Sequence, residues 1–392
     1  MSGKIYVDAA YKSVNKYTEE LCGDRVEIVR NDDCCIVVLS DGLGSGVKAN
    51  ILSTLTSKII STMMEQGSSI EDTVDTIVHT LPVCSVRNVA YSTFVILKIG
   101  YDGKTYLAEF DSPGCIFVRN GKLMPILYKT REIWGKTIKE ARFDVEVGDT
   151  LTIMSDGVIY AGIGALLNLG WSFENVAEFM AKRSRTETTA ARLAAALSET
   201  CCDLYMDKPG DDTTAASVKI IPYMPVCLFT GPPQNPEDDE TAVCDFMKTE
   251  GVKVVAGGST ANIVSRILDV KIETNLDYID YDVPPTAEMK GIDLVTEGVL
   301  TLKKTVDILK EYFNNPTERK NIDEMDKEHG AAKLAKILAE ECTHVNLFVG
   351  KKINPAHQNP NMPIDLSIRM RVVDDLISVL KLGGKVINAK YY

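Results

Sequence analysis

Four aspartates in the first part of the chain are placed so that their carboxylates could form one site. They lie in four short motifs: CGD (22–24), SDGLGSG (40–46), SDGV (155–158) and GDDTT (210–214). The aspartates themselves are Asp24, Asp41, Asp156 and Asp211. Each stands at the end of a run that predicts a β-strand, so the carboxylates can converge on one cleft. Mg²⁺ and Mn²⁺ prefer such oxygen ligands, and the sequence therefore predicts a site for divalent cations.

Each motif taken alone predicts only a turn, because Asp-Gly is a common turn dipeptide. The order and combination of the four motifs carry the prediction. Gly42 would let its own carbonyl approach a cation closely, since it has no side chain. Arg25 could contact a phosphate beside Asp24, although a salt bridge is the more usual role of such an arginine. His79 falls on a predicted helix, where a lone histidine is usually structural.

The elements that must position these aspartates mix strands with helices. An apolar run at 34–39 predicts a strand that ends at the glycine-rich turn. The other predicted strands are 92–101, 104–111, 115–118, 122–126, 150–155 and 213–221. The predicted helices are 49–64, 70–79, 173–183 and 187–206. Antiparallel hairpins with helices inserted between them predict an α+β domain, a β-sandwich flanked by helices on both faces.

The four motifs in this order resemble the metal-dependent (type 2C) serine/threonine protein phosphatase family. The glycine-rich GLGSG stretch and the helix after it are similar to its SpoIIE-like branch of bacterial phosphatases. The resemblance covers about residues 1–221. It implies a catalytic and metal-binding set of Asp24, Asp41, Asp156 and Asp211, with the Gly42 carbonyl as a further metal ligand. Asp212 matches a less constrained position outside that set.

The resemblance also implies an activity and a cofactor. Asp41 would bridge two divalent cations, Mn²⁺ or Mg²⁺; the Gly42 carbonyl would bind one of them, and Asp156 and Asp211 would complete the ligands of the other. Asp24 would bind directly or through water. A water activated by both cations would then attack a phosphomonoester, releasing inorganic phosphate.

Composition excludes several other classes of protein. The 392 residues carry a formal net charge of −12, which disfavours nucleic-acid binding. No uncharged run reaches the roughly 20 apolar residues that a membrane span needs, and the first residues lack the apolar core of a signal peptide. We therefore expect no membrane partner and a cytoplasmic location. The ten cysteines form no CxxC motif, so we expect reduced thiols.

A second domain is expected from a proline-rich stretch at 222–236, which holds the linker and the first strand of the next domain. From 226 to 392, strand and helix patterns alternate. The predicted strands are 226–229, 252–256, 292–295, 344–349 and 385–389. This alternation predicts a smaller α/β domain with a doubly wound, mainly parallel sheet.

Ligands of such sheets bind beyond the carboxyl ends of the strands. One of these ends reads Gly257, Gly258, Ser259 and Thr260 before a helix, and it could hold a small anionic effector. Glu297, Asn354 and His357 would be contacts from neighbouring strand ends. The alternative is a turn with Ser259 or Thr260 as a helix cap.

The resulting hypothesis is a cytoplasmic metal-dependent phosphatase that acts on phosphoserine or phosphothreonine of a protein partner and is regulated by its C-terminal domain. Two alternatives stay open at this point. One is a non-catalytic signalling module that keeps the phosphatase fold, and the other is a phosphatase for a small metabolite. A homodimer is a further assembly that the sequence allows.

Overall fold

The computed structural model describes residues 5–80, 92–274, 285–352 and 368–392. The chain divides into two compact units, Met1–Pro222 and Tyr223–Tyr392. Within the described residues, no helix is both long enough and apolar enough to cross a membrane. The cysteines in these ranges are all free thiols.

The first unit contains both helices and strands. Its strands are β1 (Tyr6–Val14), β2 (Asp24–Arg30), β3 (Cys34–Gly42), β4 (Ser92–Gly100), β5 (Lys104–Phe110), β6 (Ile116–Arg119), β7 (Lys122–Met124), β8 (Lys129–Ile133), β9 (Lys136–Asp144), β10 (Thr150–Met154) and β11 (Thr213–Ile221). Its helices are α1 (Gly46–Glu65), α2 (Ile70–Thr80), α3 (Asp156–Ile159), α4 (Phe173–Arg183) and α5 (Ala190–Leu204).

Two sheets of this unit share one apolar core. The six-stranded sheet has the order β2-β3-β4-β5-β9-β8, and the five-stranded sheet has the order β1-β11-β10-β6-β7. Side chains of both sheets, such as Leu39 and Leu151, form the core between them. Helices α1 and α2 pack on the outer face of the first sheet, and α4 and α5 pack on the outer face of the second. The predicted mixture of helices with more than one sheet is confirmed.

Strand β3 shows why a continuous apolar run was needed at this position. Val37 and Leu39 face the core between the sheets, while Ile36 and Val38 face the helices. A strand with both faces covered loses the usual alternation of apolar and polar residues. The β6–β7 turn follows the local sequence equally closely, because Asn120 and Gly121 adopt φ values of 51° and 69°. Positive φ at both positions is typical of a tight hairpin turn.

The second unit alternates strands and helices. Its strands are β12 (Pro225–Thr230), β13 (Val252–Ala256), β14 (Ile272–Thr274), β15 (Ala287–Met289), β16 (Ile292–Thr296), β17 (His344–Val349) and β18 (Val386–Tyr391). Its helices are α6 (Asp239–Lys248), α7 (Gly258–Leu268), α8 (Val299–Asn314), α9 (Arg319–Met325), α10 (Gly330–Glu340) and α11 (Ile368–Leu382), and a 3₁₀ turn (Pro236–Asp238) precedes α6.

These strands form one mixed sheet with the order β14-β15-β16-β13-β12-β17-β18. Pairing is parallel from β16 through β13, β12 and β17 to β18, and it is antiparallel between β14, β15 and β16. Helices α6 and α7 supply the apolar side chains on one face of the sheet. Helices α8, α10 and α11 supply those on the other.

Candidate metal centre

Asp24 and Asp41 are brought together by strand register. They are direct partners in the antiparallel pair β2–β3. The Gly42 N–H donates to the Gly23 carbonyl at 3.1 Å, so Gly23 and Gly42 form a hydrogen-bonded pair. Asp24 and Asp41 are therefore the adjacent non-hydrogen-bonded pair, in which the Cα atoms lie about 4.5 Å apart and side chains are closest. Both carboxylates project from the same face at the same strand end.

Two glycines allow the surrounding backbone to approach this pair. A Cβ on Gly42 would lie 2.2 Å from the Ala49 carbonyl oxygen, so helix α1 could not pack against the end of β3. A Cβ on Gly23 would lie 2.7 Å from Oδ2 of Asp212. The glycines therefore bring α1 and Asp212 against the first two aspartates.

Asp156, Asp211 and Asp212 come from the other sheet, at the ends of β10 and β11. The Ser155 N–H donates to the Thr214 carbonyl at 3.0 Å, and the Thr214 N–H donates to Ser155 Oγ at 2.9 Å. This reciprocal pair extends the β10–β11 ladder to the point where Asp156 begins α3. It sets Asp156 beside the Asp211–Asp212 corner.

The two neighbouring aspartates of GDDTT differ in exposure. Asp212 is 4% exposed, and its Oδ1 accepts from the Lys16 N–H at 3.0 Å. The Asp211 side chain is 44% exposed and lies 3.9 Å from Lys16 Nζ. Asp212 is thus the buried member and Asp211 lies at the rim. Sequence reasoning placed Asp211 in the site, and the depth of Asp212 becomes visible only in the structure.

Asp24 is the most deeply buried of the five aspartates, at 3% exposed. Among the described residues, neither of its carboxylate oxygens has a hydrogen-bond partner, and Oδ2 of Asp212 has none either. The hydroxyls of Ser155 and Thr214 lie close enough to lower the pKa of Asp24 somewhat, without making bonds of ordinary geometry. Buried carboxylate oxygens without partners are costly, and a cation would satisfy them.

Electrostatics links all five carboxylates into one group, the aspartate cluster (Asp24, Asp41, Asp156, Asp211 and Asp212). Burial, followed by the charges of Asp212 and Asp156, raises the pKa of Asp24 to about 7. Burial also raises the pKa of Asp41 to about 9, with added repulsion from the other four members. The pKa of Asp156 is raised by burial and then by Asp211. Negative charge is therefore crowded in the cluster, and Lys16 lies beside its rim member, Asp211.

The donor set fits hard divalent cations, because every side-chain donor is a carboxylate oxygen. Among the residues that the structure describes, however, no three His, Cys, Asp or Glu side chains already stand close enough together to hold a metal ion. The assignment of a cation site therefore rests on the carboxylate oxygens as ligands and on the buried oxygens that have no hydrogen-bond partner.

Comparison with known proteins identifies much of the first unit. Residues 31–220 match the family model described as Stage II sporulation protein E (SpoIIE). Residues 31–220 are a SpoIIE-like segment. It spans just under half of the 392 residues, and it contains every member of the aspartate cluster except Asp24, which precedes it. No curated protein matches the chain.

Among solved structures, one similar protein is the phosphatase domain with a fragment of the regulatory domain of SpoIIE from Bacillus subtilis. It shares 18% identity at a TM-score of 0.47, and the match covers 56% of this chain and 65% of that one. RsbX in complex with magnesium shares 16% identity at a TM-score of 0.40, covering 55% and 98%. The catalytic domain of the phosphatase PstP with two manganese ions shares 14% at 0.39, covering 56% and 100%.

The structure adds residues around the SpoIIE-like site that sequence reasoning missed. Asp111 follows β5 with φ of 49°, and its charge helps to raise the pKa of Asp156. It is another aspartate at a strand end, so the signal used for the other four could have found it. Cys22 lies beside the cluster, and burial followed by the charge of Asp24 raises the pKa of its thiol. Arg25 pairs with Glu27 at 3.2 Å.

The four residues of the predicted anion cradle lie at the start of helix α7 in the second unit. Gly257 precedes the helix with φ of 125°. Among the described residues, no side chain caps the helix, and a Cβ on Gly258 would meet nothing within 4 Å. Oε2 of Glu297 accepts from the N–H groups of Leu300 at 3.2 Å and Thr301 at 3.3 Å at the start of α8. Asn354 and His357 lie outside the described residues.

Proposed function

We propose that residues 1–221 form a metal-dependent phosphatase that hydrolyses phosphoserine or phosphothreonine on a protein partner. The observation that carries this proposal is the aspartate cluster within and beside the SpoIIE-like segment. Its five carboxylates stand at matched strand ends of two packed sheets, and its most buried member, Asp24, has no hydrogen-bond partner among the described residues.

In this proposal Asp41 and the Gly42 carbonyl hold Mn²⁺ or Mg²⁺ together with Asp24, Asp156 and Asp211. Bound divalent cations supply a water of lowered pKa and offset charge on the phosphoryl oxygens. Asp212 has a positioning role, because it accepts from the Lys16 backbone and packs under Gly23. The raised pKa values mean that, near neutral pH without a cation, Asp41 is protonated and Asp24 is partly protonated, and cation binding would release these protons.

The direct test is phosphate release by the full chain from a phosphoserine peptide, with Mn²⁺, with Mg²⁺ and with EDTA. We expect turnover with added cation and none in EDTA. Undiminished turnover in EDTA would contradict the proposal. Phosphorylated metabolites assayed under the same conditions separate a protein phosphatase from a metabolite phosphatase, and binding of the peptide without any turnover would favour a non-catalytic module.

For residues 226–392 we propose a doubly wound regulatory domain that binds a small anionic effector at Gly257, Gly258, Ser259 and Thr260. Support comes from the uncapped N-terminus of α7, where the helix dipole favours an anion. It also comes from the helices on both faces of the sheet. Regulation requires that the effector bind two states of the phosphatase with different affinity.

Calorimetric titration of the full chain with inorganic phosphate tests the anion site. Ser259→Glu places a carboxylate at the N-terminus of α7 and should abolish the binding heat. Thr241→Glu makes the same change in the first turn of α6 and serves as the matched control. Equal phosphate binding by both variants, or no binding by the unmodified chain, would rule out this anion site.

A further inference from the structure

Strand β18 forms one edge of the seven-stranded sheet and is unusually open to solvent. Among the described strands, β18 has a single neighbour, β17. Five of its six residues are exposed. Large apolar side chains are among them, since Val386 is 47% and Tyr391 is 39% exposed. An exposed edge strand presents unpaired backbone groups to other chains.

The outward backbone groups of β18 can be assigned from its bonds to β17. The Val386 N–H donates to the Thr343 carbonyl at 3.2 Å, and the Tyr392 N–H donates to the Val349 carbonyl at 2.9 Å. Because residues in a parallel strand alternate in the side to which they bond, Ile387, Ala389 and Tyr391 direct their N–H and C=O groups away from β17. No described residue makes a backbone hydrogen bond to these groups.

Other edge strands of the molecule are protected. Strands β7 and β14 have three residues each. Strand β8 carries three charges in five residues, which oppose pairing with a second chain. Strands β1 and β2 are joined by Arg30, whose Nη2 donates to the Ala9 carbonyl at 3.3 Å. Strand β18 has only one charged residue, Lys390, and that charge is paired with Asp245.

We propose that β18 pairs antiparallel with β18 of a second copy of this chain, about a two-fold axis at Ala389. In this register the outward backbone groups of the two strands meet in three hydrogen-bonded pairs: Ile387 with Tyr391, Ala389 with Ala389, and Tyr391 with Ile387 of the second copy. The two seven-stranded sheets then become one continuous sheet. The assembly closes at two copies, because the interface is isologous.

Side chains on both faces are complementary in this register. On the α11 side, Ile387 faces Tyr391 of the second copy, an aromatic and β-branched pair of the kind that stabilises antiparallel strands. On the α6 side, Lys390 faces Asn388, so no charge meets its own copy. A groove of about 360 Å³ runs along this side, bordered by Asp245, Lys248 and Asn346. The second strand would extend its wall.

A charge-swap experiment tests the pairing, with sedimentation velocity of the full chain over a concentration series as the readout. We expect the unmodified chain to be a dimer. Ala389→Lys and Ala389→Glu each place like charges opposite one another at the axis and should weaken dimerisation about tenfold or more. An equimolar mixture of the two variants should recover the dimer, because lysine then faces glutamate.

Thr130→Lys adds the same charge to the exposed edge strand β8 and should leave the dimer intact. Hydrogen exchange gives an independent readout: the amides of Ile387, Ala389 and Tyr391 should gain protection as protein concentration rises. A monomer at all concentrations, an assembly larger than two copies, or a dimer unaffected by both Ala389 variants would overturn the proposal. Recovery by the mixture would show that the variants are folded.

Discussion

The strand ends of the two units are completed in opposite ways. In the first unit, β2, β3, β10 and β11 end in carboxylates, and the buried oxygens of Asp24 have no hydrogen-bond partner within the described residues. In the second unit, the ends of β12 and β16 are closed by their own chain, in contrast to the end of β13, where we propose the anion site. The Gly350 N–H donates to the Thr230 carbonyl at 3.0 Å, and Glu297 caps α8. A Cβ on Gly350 would lie 2.0 Å from the Pro232 carbonyl oxygen, which shows how tight this closure is.

This contrast distinguishes strand ends that could bind a ligand from strand ends that only support the fold. An unsatisfied cluster of like charges lowers stability and is expected where an external cation completes the structure. Strand ends whose polar groups are already paired need nothing further. The comparison therefore predicts large effects of mutation on activity in the first unit and modest effects on stability in the second.

The largest expected effect is on turnover. In the proposed mechanism the carboxylates of Asp41 and Asp156 would hold the activating cations, so Asp41→Asn or Asp156→Asn should lower the phosphatase rate by about 100-fold or more. Asp32→Asn is the matched control, since it makes the same change in the exposed turn at the other end of β3. Steady-state phosphate release with saturating Mn²⁺ measures all three. Equal losses of activity in all three variants would contradict a specific role of the aspartate cluster in catalysis.

The next effect concerns packing under the cluster. Gly42→Ala would place a Cβ within 2.2 Å of the Ala49 carbonyl oxygen. Because that oxygen belongs to the backbone of α1, relieving the clash requires a costly backbone shift. We expect destabilisation of about 3 kcal/mol in urea unfolding. Gly258→Ala in the second unit is the counterpart, because its Cβ meets nothing within 4 Å. It should change stability by less than about 0.5 kcal/mol. Similar losses from both variants would contradict the comparison.

A third effect is the pH dependence of the metal-free fold. Asp24 and Asp41 have pKa values raised from 3.8 to about 7 and about 9, so between pH 4 and these values the folded state binds more protons than the unfolded state. Stability must therefore fall as pH rises through this window. Between pH 5.5 and 8.5 in EDTA, Asp24 alone corresponds to a loss on the order of 2 kcal/mol, and Asp41 adds to that loss.

Urea unfolding of the full chain at the two pH values measures this loss, with the transition of the first unit followed separately. Asp41→Asn should flatten the dependence and stabilise the metal-free protein at pH 8.5, because it removes a repelling carboxylate. Saturating Mn²⁺ should also flatten it. If stability in EDTA rose with pH instead, the carboxyls of Asp24 and Asp41 could not have raised pKa values in the folded state.

Much of the fold was readable from the sequence, and the failures have physical causes. The apolar run of β3 and the Asn120-Gly121 turn carry their structure locally. The hairpin β8–β9 was missed because Lys136–Asp144 is rich in charge, and its strand character comes from pairing with β5. Strand β1 was missed for a similar reason, since it pairs with β11, about 200 residues away.

The candidate aspartates could be found from the sequence, because each lies in a short motif at the end of a predicted strand. The relative depth of Asp211 and Asp212 was not predictable. It depends on Lys16 and Gly23, which reach the corner only through the β1–β11 and β2–β3 pairings. The same limit applies to Glu297, whose capping of α8 requires the helix to begin where it does.

The smallest expected effect comes from that cap in the second unit. Glu297→Ala removes the acceptor for the Leu300 and Thr301 N–H groups and should destabilise the second unit by about 1 kcal/mol. Glu297→Gln keeps an acceptor and should lose about half as much. Glu288→Ala, which removes an exposed carboxylate from β15, should be neutral. Urea unfolding monitors stability, and phosphate titration monitors ligand binding in the same variants. Unchanged stability with altered phosphate affinity would mean that Glu297 contacts a ligand, and the end of β16 would then belong to the proposed anion site.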